Sequence, residues 1–436
     1  MVYLIHSLNE SNWFAMIYAR KSDRTQMKQM NQQLVLQLIQ GRGPISRRDI
    51  TQISGLSPAT VSGITSALID LGLVHKVGEA EEKGRAGRRA VLLRLNPHAG
   101  YVVGVKLAVH TISCVLTDLD ANVLHSLEQP LPLDNSAAAP FDPQATIQAT
   151  ILTVESLLRV AQIEPAQLLG IGVGINGIVD TEAGVSSLAP HFGWRNVPLA
   201  APLAAHFSVP VHLENDARTL TIAEQWFGAG REVDHFVAVA VGYGIGAGVV
   251  ANKQLYRGTS GGAGEFGHIT LQEDGPLCSC GKRGCLESFA AVPAIFRQIK
   301  EALAAGESSV LAGNKPLTLE AIASAANDGD ALALRVVATA GRWLGLGMVS
   351  LVNILNPELI VVNGEAVCLG RAYFEPMEAA LREHAFDGLV NSLRISTELG
   401  GNEIWARGAA CVALSSLFTS PDYQRISLIN GAGRLV

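Results

Sequence analysis

Residues 265–287 read EFGHITLQEDGPLCSCGKRGCLE and place His268, Cys278, Cys280 and Cys285 in the pattern H-x9-C-x-C-x4-C. One imidazole and three thiols in a single short excursion supply the four donors of a closed tetrahedral zinc site, with no position left for a catalytic water. A structural Zn2+ is therefore expected. Gly275, Gly281 and Gly284 free the backbone where the cysteines must converge on one ion. Glu265 and Glu287 bracket the donors, so a bound metal would hold two carboxylates in fixed positions. The alternative is a disulfide beside an unrelated histidine, which needs an oxidising compartment.

Composition narrows the setting. The chain has 436 residues, enough for two or three cores, and nearly half of them are apolar while charge is sparse. The longest apolar run, 236–251, is interrupted by four glycines and does not read as a membrane helix. The first twenty residues lack a basic n-region and a clean cleavage site, so no signal peptide is expected. With cysteines spaced for metal, this points to a cytoplasmic protein. Residues 1–97 carry 13 Lys and Arg against 7 Asp and Glu, whereas the remainder carries 20 against 32. A basic head on an acidic body is the asymmetry expected where one end meets a polyanion.

That head has helix signals. In residues 30–40, Leu34, Val35 and Leu38 fall on one helical stripe, ended by Gly41 to Pro44. Ser46 reads as the N-cap of a second helix through Ile50 and Ile53, stopped at Gly55. Ser57-Pro58 opens a third, with serine capping and proline in the first turn. Its residues Val61, Ile64, Leu68 and Leu71 are expected inward, leaving Ala59, Thr60, Ser62 and Thr65 outward or lateral, where small side chains suit a major groove. Residues 73–77 and 90–95 read as strands around a wing that carries Arg85, Arg88 and Arg89 for phosphates or a minor groove. The candidate DNA contacts are thus Arg47, Arg48, Ser57, Ala59, Thr60, Ser62, Arg85, Arg88 and Arg89. An ordinary three-helix cap remains the alternative for the helices alone.

Behind the linker at 96–98, a run of apolar alternation from Tyr101 makes two strands and begins a third, and a similar unit recurs at 235–256. Two such hairpin units, each followed by helices, imply a duplicated α/β fold with a cleft between lobes. The expected organisation is a leader at 1–26, disordered or an over-long start; a winged helix-turn-helix at 27–97; and a two-lobe domain at 98–436 with the zinc loop at 265–287. Residues 331–346, apolar all round, read as a buried interlobe or dimer helix. No chemistry is legible beyond Ser420.

G-E-F-G-H followed by C-x-C-G-x-x-G-C-x-E resembles the signature of the ROK family, named for repressors, open reading frames and sugar kinases. The resemblance implies an actin-like (ribonuclease H-like) two-lobe sugar-kinase fold, and it makes Glu265, His268 and Glu287 sugar contacts. The N-terminal pattern resembles the DNA-binding domain of ROK repressors, which ROK kinases lack. Asn215-Asp216 after a strand matches the family's Asn-Asp pair, in which asparagine orients hydroxyls and aspartate is the kinase's general base. Asn176-Gly177 stands where the family commonly has Pro-Gly, and it is read as a turn.

The nucleotide side departs from the family. Its Asp-x-Gly-Gly-Thr motif is met here by Lys106, Ala108, Val109 and His110. The turn 242–248 keeps its glycines but has Tyr243 where the kinases usually have threonine; alone, such a turn reads equally as a tight hairpin. In LIVVNGEAV (359–367), Asn363 and Glu365 replace glycines. The expected function is therefore a sugar-responsive DNA-binding repressor, a homodimer or dimer of dimers, with operator DNA and a monosaccharide effector as partners and no membrane. No residue is expected to act catalytically, Asp216 being only the kinase-base equivalent. Two alternatives stay open: an ATP-dependent, glucokinase-like sugar kinase with an appended regulatory domain, and a regulator that binds a protein partner instead of sugar.

Overall fold

The computed structural model describes residues 24–79, 90–131, 141–313, 316–398 and 400–419. The leader before residue 24, the wing tip with Arg85, Arg88 and Arg89, and the tail from 420 lie outside these. Two compact units are present: 1–99 with 417–436, and 100–416.

In the first unit, α1 (Arg24–Arg42) starts three residues before the expected domain boundary, and α2 (Arg47–Ser54) and α3 (Pro58–Asp70) form the helix-turn-helix. The Ser46 and Ser57 hydroxyls accept from the backbone N–H groups of Asp49 at 3.2 Å and Thr60 at 3.1 Å, and Gly55 ends α2 at φ 70°. These caps satisfy N–H groups that each helix start would leave orphaned. Strands β1 (Ile45–Ser46), β2 (Val74–Glu79) and β3 (Val91–Leu95) make an antiparallel sheet in the order β1-β3-β2, so the wing has a short third strand not expected from the sequence.

Two expectations here are corrected. The buried stripe of α1 is Val35, Leu36 and Ile39, while Leu34 is exposed and Leu38 only half-buried. Thr65 is fully buried, because its hydroxyl accepts the Arg47 Nε–H at 2.7 Å and donates back to the Val61 carbonyl. Val61, Ile64 and Leu68 do face inward, Leu71 is half-buried, and Ala59, Ser62 and Gly63 are exposed along the outer face of α3.

The second unit has two five-stranded sheets of one design. In the first, the hairpin strands β4 (Tyr101–Leu107), β5 (Thr111–Thr117) and β6 (Val123–Pro130) are antiparallel. Strand β4 also pairs in parallel with β7 (Leu168–Ile175), which pairs with β11 (Val211–Asn215). The second repeats this: β12 (Phe236–Val241), β13 (Ile245–Ala251) and β14 (Gln254–Tyr256), then β15 (Leu359–Asn363) and β16 (Arg394–Thr397). Between β7 and β11 runs a small sheet, β8 (Ile178–Asp180), β9 (Val185–Ala189) and β10 (Trp194–Pro198). Strands β7 and β12 are buried along their whole length, which is why they read as continuous apolar runs without alternation. The duplicated hairpin expected from the sequence is therefore present, and β4, β11, β12 and β15 bring their carboxyl ends to one cleft, the usual ligand position in α/β sheets.

Helices cover the sheets. On the first lie α4 (Pro143–Ala161) and α5 (Ala200–Phe207), and α6 (Asp216–Trp226) follows β11. On the second, after α7 (Glu287–Ala290) and α8 (Val292–Ala304), come α9 (Leu319–Asn327), α10 (Ala331–Leu355) and α11 (Arg371–His384), while α12 (Asn402–Thr419) returns to pack its backbone against Gly104 of β4 and Gly172 of β7 on the first sheet. Helix α10 is long and apolar enough to cross a membrane, yet more than half of its most apolar window is buried within the fold. It is not apolar-buried all round, since Ile354 is 79 % exposed.

Glu224 on α6 is buried. One carboxylate oxygen accepts from the Ala229 N–H and the other has no partner, and burial beside Glu398 pushes its pKa from 4.5 up to about 7. The fold thus prefers its protonated form. That contribution is complete below about pH 4.5 and is lost as pH rises through about 7. Glu224→Gln should change the melting temperature little at pH 5 and raise it at pH 8, by a stability difference on the order of 3 kcal/mol. Thermal melts across that range check the sign.

Candidate functional site

The four donors of the loop 265–287 gather as their spacing implied. The Nδ1 of His268 and the sulfurs of Cys278, Cys280 and Cys285 lie within 4.8 Å of one another. Cys280 and Cys285 sulfurs are 3.8 Å apart, and Cys278 sulfur is 3.6 Å from His268 Nδ1. A tetrahedral site with metal–sulfur bonds of about 2.3 Å and metal–nitrogen bonds of about 2.0 Å has edges of about 3.8 and 3.6 Å. A disulfide needs about 2.05 Å, and all six cysteines are free thiols. The cluster can therefore hold a metal ion. Without one, burial and then the neighbouring Cys278 and Cys280 push the Cys285 thiol up to about 12. Crowded thiols resist ionisation until a cation compensates them.

The metal cluster is joined to a cavity of about 310 Å³ between the two sheets, lined by Asn215, Asp216, Glu265, His268 and Glu287. All five sugar-contact candidates thus meet. His268 turns Nδ1 to the thiols and Nε2 toward Glu265, whose carboxylate lies 3.8 Å away. Glu287 binds on three sides: it accepts from Ser279 Oγ at 2.9 Å and from the Ile245 N–H at 3.0 Å, and lies 3.9 Å from His191 Nε2. Burial alone would raise its pKa, but His191, His268 and the Ile245 N–H outweigh it and hold Glu287 below the usual range.

On the opposite wall, Asn215 caps α6. Its Oδ1 accepts from the Arg218 N–H at 3.2 Å and its Nδ2 donates to the Gly177 carbonyl at 2.9 Å, while Asn176 lines the cavity with a buried Oδ1 that has no hydrogen-bond partner. One amide hydrogen and one lone pair of Asn215 remain for a ligand. Asp216 accepts from the Ala217 N–H at 2.9 Å; burial raises its pKa, opposed mainly by Lys106. Fully buried Arg218 pairs with Glu214 at 2.6 Å and donates to the Gly261 and Ala263 carbonyls, and Arg257 closes on the other Glu214 oxygen at 2.8 Å. This ion pair pins the approach to Glu265.

The remaining wall is built by residues at the nucleotide-type positions. Lys106, 4 % exposed, lies over the Trp405 ring with Nζ 3.7 Å from its centroid. Burial lowers its pKa, opposed by Glu365, Asp216 and Glu128. Glu365 packs on Gly242, where its carboxylate takes the space of any Cβ; at Gly244 a Cβ would meet His191 and Glu287. Across the cleft, His110 and Tyr243 touch edge to face with centroids 5.2 Å apart. Sequence reasoning singled out Lys106 and Glu365 only as departures from a motif and assigned His191 no contact. It missed Ser279, Asn402 and Trp405; for Ser279, its place between two cysteines was a usable signal.

The comparisons with known proteins follow this geometry. A family model for the ROK family matches residues 102–416, and one for winged helix-turn-helix DNA-binding matches 31–75. The chain belongs to the ROK family. It is 32% identical over 400 residues to the putative xylose repressor of Caldicellulosiruptor sp. (strain Rt8B.4), covering 91% of this chain and 98% of the relative. It is 33% identical over 373 residues to the DNA-binding transcriptional dual regulator NagC of Escherichia coli K12, with 85% and 88% covered. Among solved structures, a ROK family transcriptional regulator described as a homolog of E. coli MLC superposes with TM-score 0.79 at 29% identity, covering 92% of this chain and 99% of that one. A ROK family glucokinase from Streptomyces griseus, in complex with glucose and AMPPNP, gives 0.65 at 26%, covering 72% and 100%. The fold is thus a ROK two-lobe domain of the actin-like sugar-kinase type, with an N-terminal winged helix-turn-helix.

Metal analysis of the purified ROK chain is expected to find one tightly held divalent ion. Cys280→Ser should lose most of it and lower the melting temperature by several degrees, since structural ions contribute on the order of 10 kcal/mol in small metal-folded domains. A metal-free chain with the same melting curve would contradict the cluster's role.

Proposed function

We propose that this ROK chain is a sugar-responsive, DNA-binding transcriptional repressor of carbohydrate-metabolism genes, acting in the cytoplasm as a homodimer or dimer of dimers. The observation that carries the reading is the pairing of a winged helix-turn-helix with a cleft whose sugar side is intact. The regulator structure covers 92% of the chain, whereas the glucokinase structure covers 72%. Relatives named as xylose repressor and as NagC match over most of the chain.

Asn215, Asp216, Glu265, His268 and Glu287 would contact the sugar, since carboxylates and an amide converging on a small cavity suit a polyol's hydroxyls. His268, Cys278, Cys280 and Cys285 would hold zinc, the ion that fits a closed set of three sulfurs and one nitrogen; it supplies fixed geometry to the loop. Arg47, Arg48, Ser57, Ala59, Thr60 and Ser62, with Arg85, Arg88 and Arg89 of the wing, would meet DNA. Among the described members, Arg48, Ser57, Ala59 and Ser62 are exposed, Ser57 also caps α3, and half-buried Arg47 binds Thr65. The unit boundary at 99 supports the proposed division at 97.

Phosphoryl transfer depends on positioning and charge neutralisation at the phosphates. Lys106 in place of the motif's aspartate, and Glu365 against the glycine turn, oppose both, so kinase activity is proposed as lost. A sugar that prefers one lobe arrangement would change the spacing of paired recognition helices and hence operator affinity. The kinase alternative predicts ADP release with some monosaccharide; the protein-partner alternative predicts no response to any sugar.

The test is a titration of operator DNA, recovered by genomic selection with the purified chain, at two salt concentrations and with a panel of monosaccharides. Affinity should fall steeply with salt and change with at least one sugar. Arg88→Ala with Arg89→Ala should weaken DNA binding by about tenfold and flatten the salt slope while sugar binding persists. Equal loss of both would remove the wing from the interface, and ADP release in a coupled assay would favour the kinase.

A further inference from the structure

We infer that the cleft selects an uncharged monosaccharide and rejects its phosphate esters, with Glu365 as the specificity-determining residue; this deepens the sugar-sensor reading and rests on it. Four carboxylates face the cavity: Asp216, Glu265, Glu287 and Glu365. The cationic and titratable nitrogens facing it are Lys106, His110, His191 and His268. Of these, Lys106 is already engaged. Its ammonium sits on Trp405 and is acted on by Glu365, Asp216 and Glu128, and Glu128 is itself held by Ser113 and Asn402. His268 points between the thiols and Glu265, and His191 lies by Glu287.

A phosphate also needs backbone N–H donors, and in each of the two turns that would supply them part of the donor set is already engaged. Gly242 N–H donates to the Gly244 carbonyl at 2.9 Å and Ile245 N–H to Glu287 at 3.0 Å. On the first hairpin, Ala108 N–H donates to the Thr111 carbonyl at 2.9 Å. Glu365 places a carboxylate directly on Gly242, at the point where an anion would seek the turn. Lys106, Glu365, Asn402 and Trp405 line both this cavity and a neighbouring one, so Glu365 stands where the two adjoin.

A dianion entering here would lose its water and meet the carboxylates of Asp216, Glu265, Glu287 and Glu365. Sugar hydroxyls carry the complementary pattern. Each offers an O–H to a carboxylate that lacks one. Discrimination therefore comes from a repulsive element as well as from attractive ones.

Calorimetric titration of the full chain with D-xylose, D-glucose and N-acetyl-D-glucosamine, with the 1- and 6-phosphates of the two hexoses and with inorganic phosphate, tests this. D-xylose 1-phosphate and 5-phosphate complete the panel, so that each sugar is compared with its own esters; at least one neutral sugar is expected to bind, with its esters weaker by about thirtyfold or more. In Glu365→Gln the quantity read is the ratio of ester to parent affinity, so a general loss of binding cancels; that ratio should narrow by about tenfold. An ester that binds wild type as tightly as its parent sugar, or more tightly, overturns the inference and leaves the sugar-sensor reading standing. An unchanged ratio in a Glu365→Gln chain of normal melting temperature removes the role given to Glu365. If neither sugars nor esters bind or alter DNA affinity, the sensor reading falls and this inference with it.

Discussion

Three thiols and an imidazole gather with edges of 3.6 and 3.8 Å, and the thiols can ionise together there only if a cation compensates their negative charge. That constraint organises the cleft. In the loop 265–287, Phe266 and Leu286 anchor the neighbours of Glu265 and Glu287 in the core of the second sheet, and the converging donors close the loop between them. From Glu287 the constraint passes outward. Its carboxylate ties Ser279, between two of the thiols, to the Ile245 N–H on the second sheet and lies beside His191 from the first lobe. A single carboxylate thus joins the metal cluster, the glycine turn and the small sheet's loop.

The opposite wall depends on a different charge arrangement. Glu214 and Arg218 form a buried ion pair that holds the segment before Glu265, with exposed Arg257 on the second Glu214 oxygen, and Asn215 beside them caps α6 while gripping the Gly177 carbonyl. Removing Glu214 would leave the Arg218 charge uncompensated in the core, a cost of about 3–5 kcal/mol. The far end is lined by Lys106, a cation built into the chain, with Trp405 as its bed and Glu365 as its neighbour. Where a nucleotide-binding relative would need room for phosphates, this cleft holds its own paired charges and the His110–Tyr243 contact.

Features whose parts are near in sequence were legible, because local chemistry decides them. The metal donors span fewer than twenty residues, and the Ser46, Ser57 and Gly55 caps each act within one turn of helix. The duplicated hairpins were legible from their repeated apolar runs, though not the short β1. In α1, consecutive apolar residues at 34–36 and 38–39 fit more than one stripe, and only packing selects Val35, Leu36 and Ile39. Thr65 read as surface since a small hydroxyl suits solvent; Arg47 from the neighbouring helix took it inward. Lys106 with Trp405, and His191 with Glu287, unite distant parts of the chain, and no local pattern announces such pairs.

The central claim is that the metal organises a pocket for a neutral carbohydrate. It is tested most directly by stripping the ion under conditions that keep the chain folded, adding Zn2+ back in steps, and measuring monosaccharide affinity at each occupancy. The account predicts sugar binding that is absent in the stripped chain and returns in proportion to the ion, saturating at one per chain. Full sugar affinity in a folded, metal-free chain would contradict it.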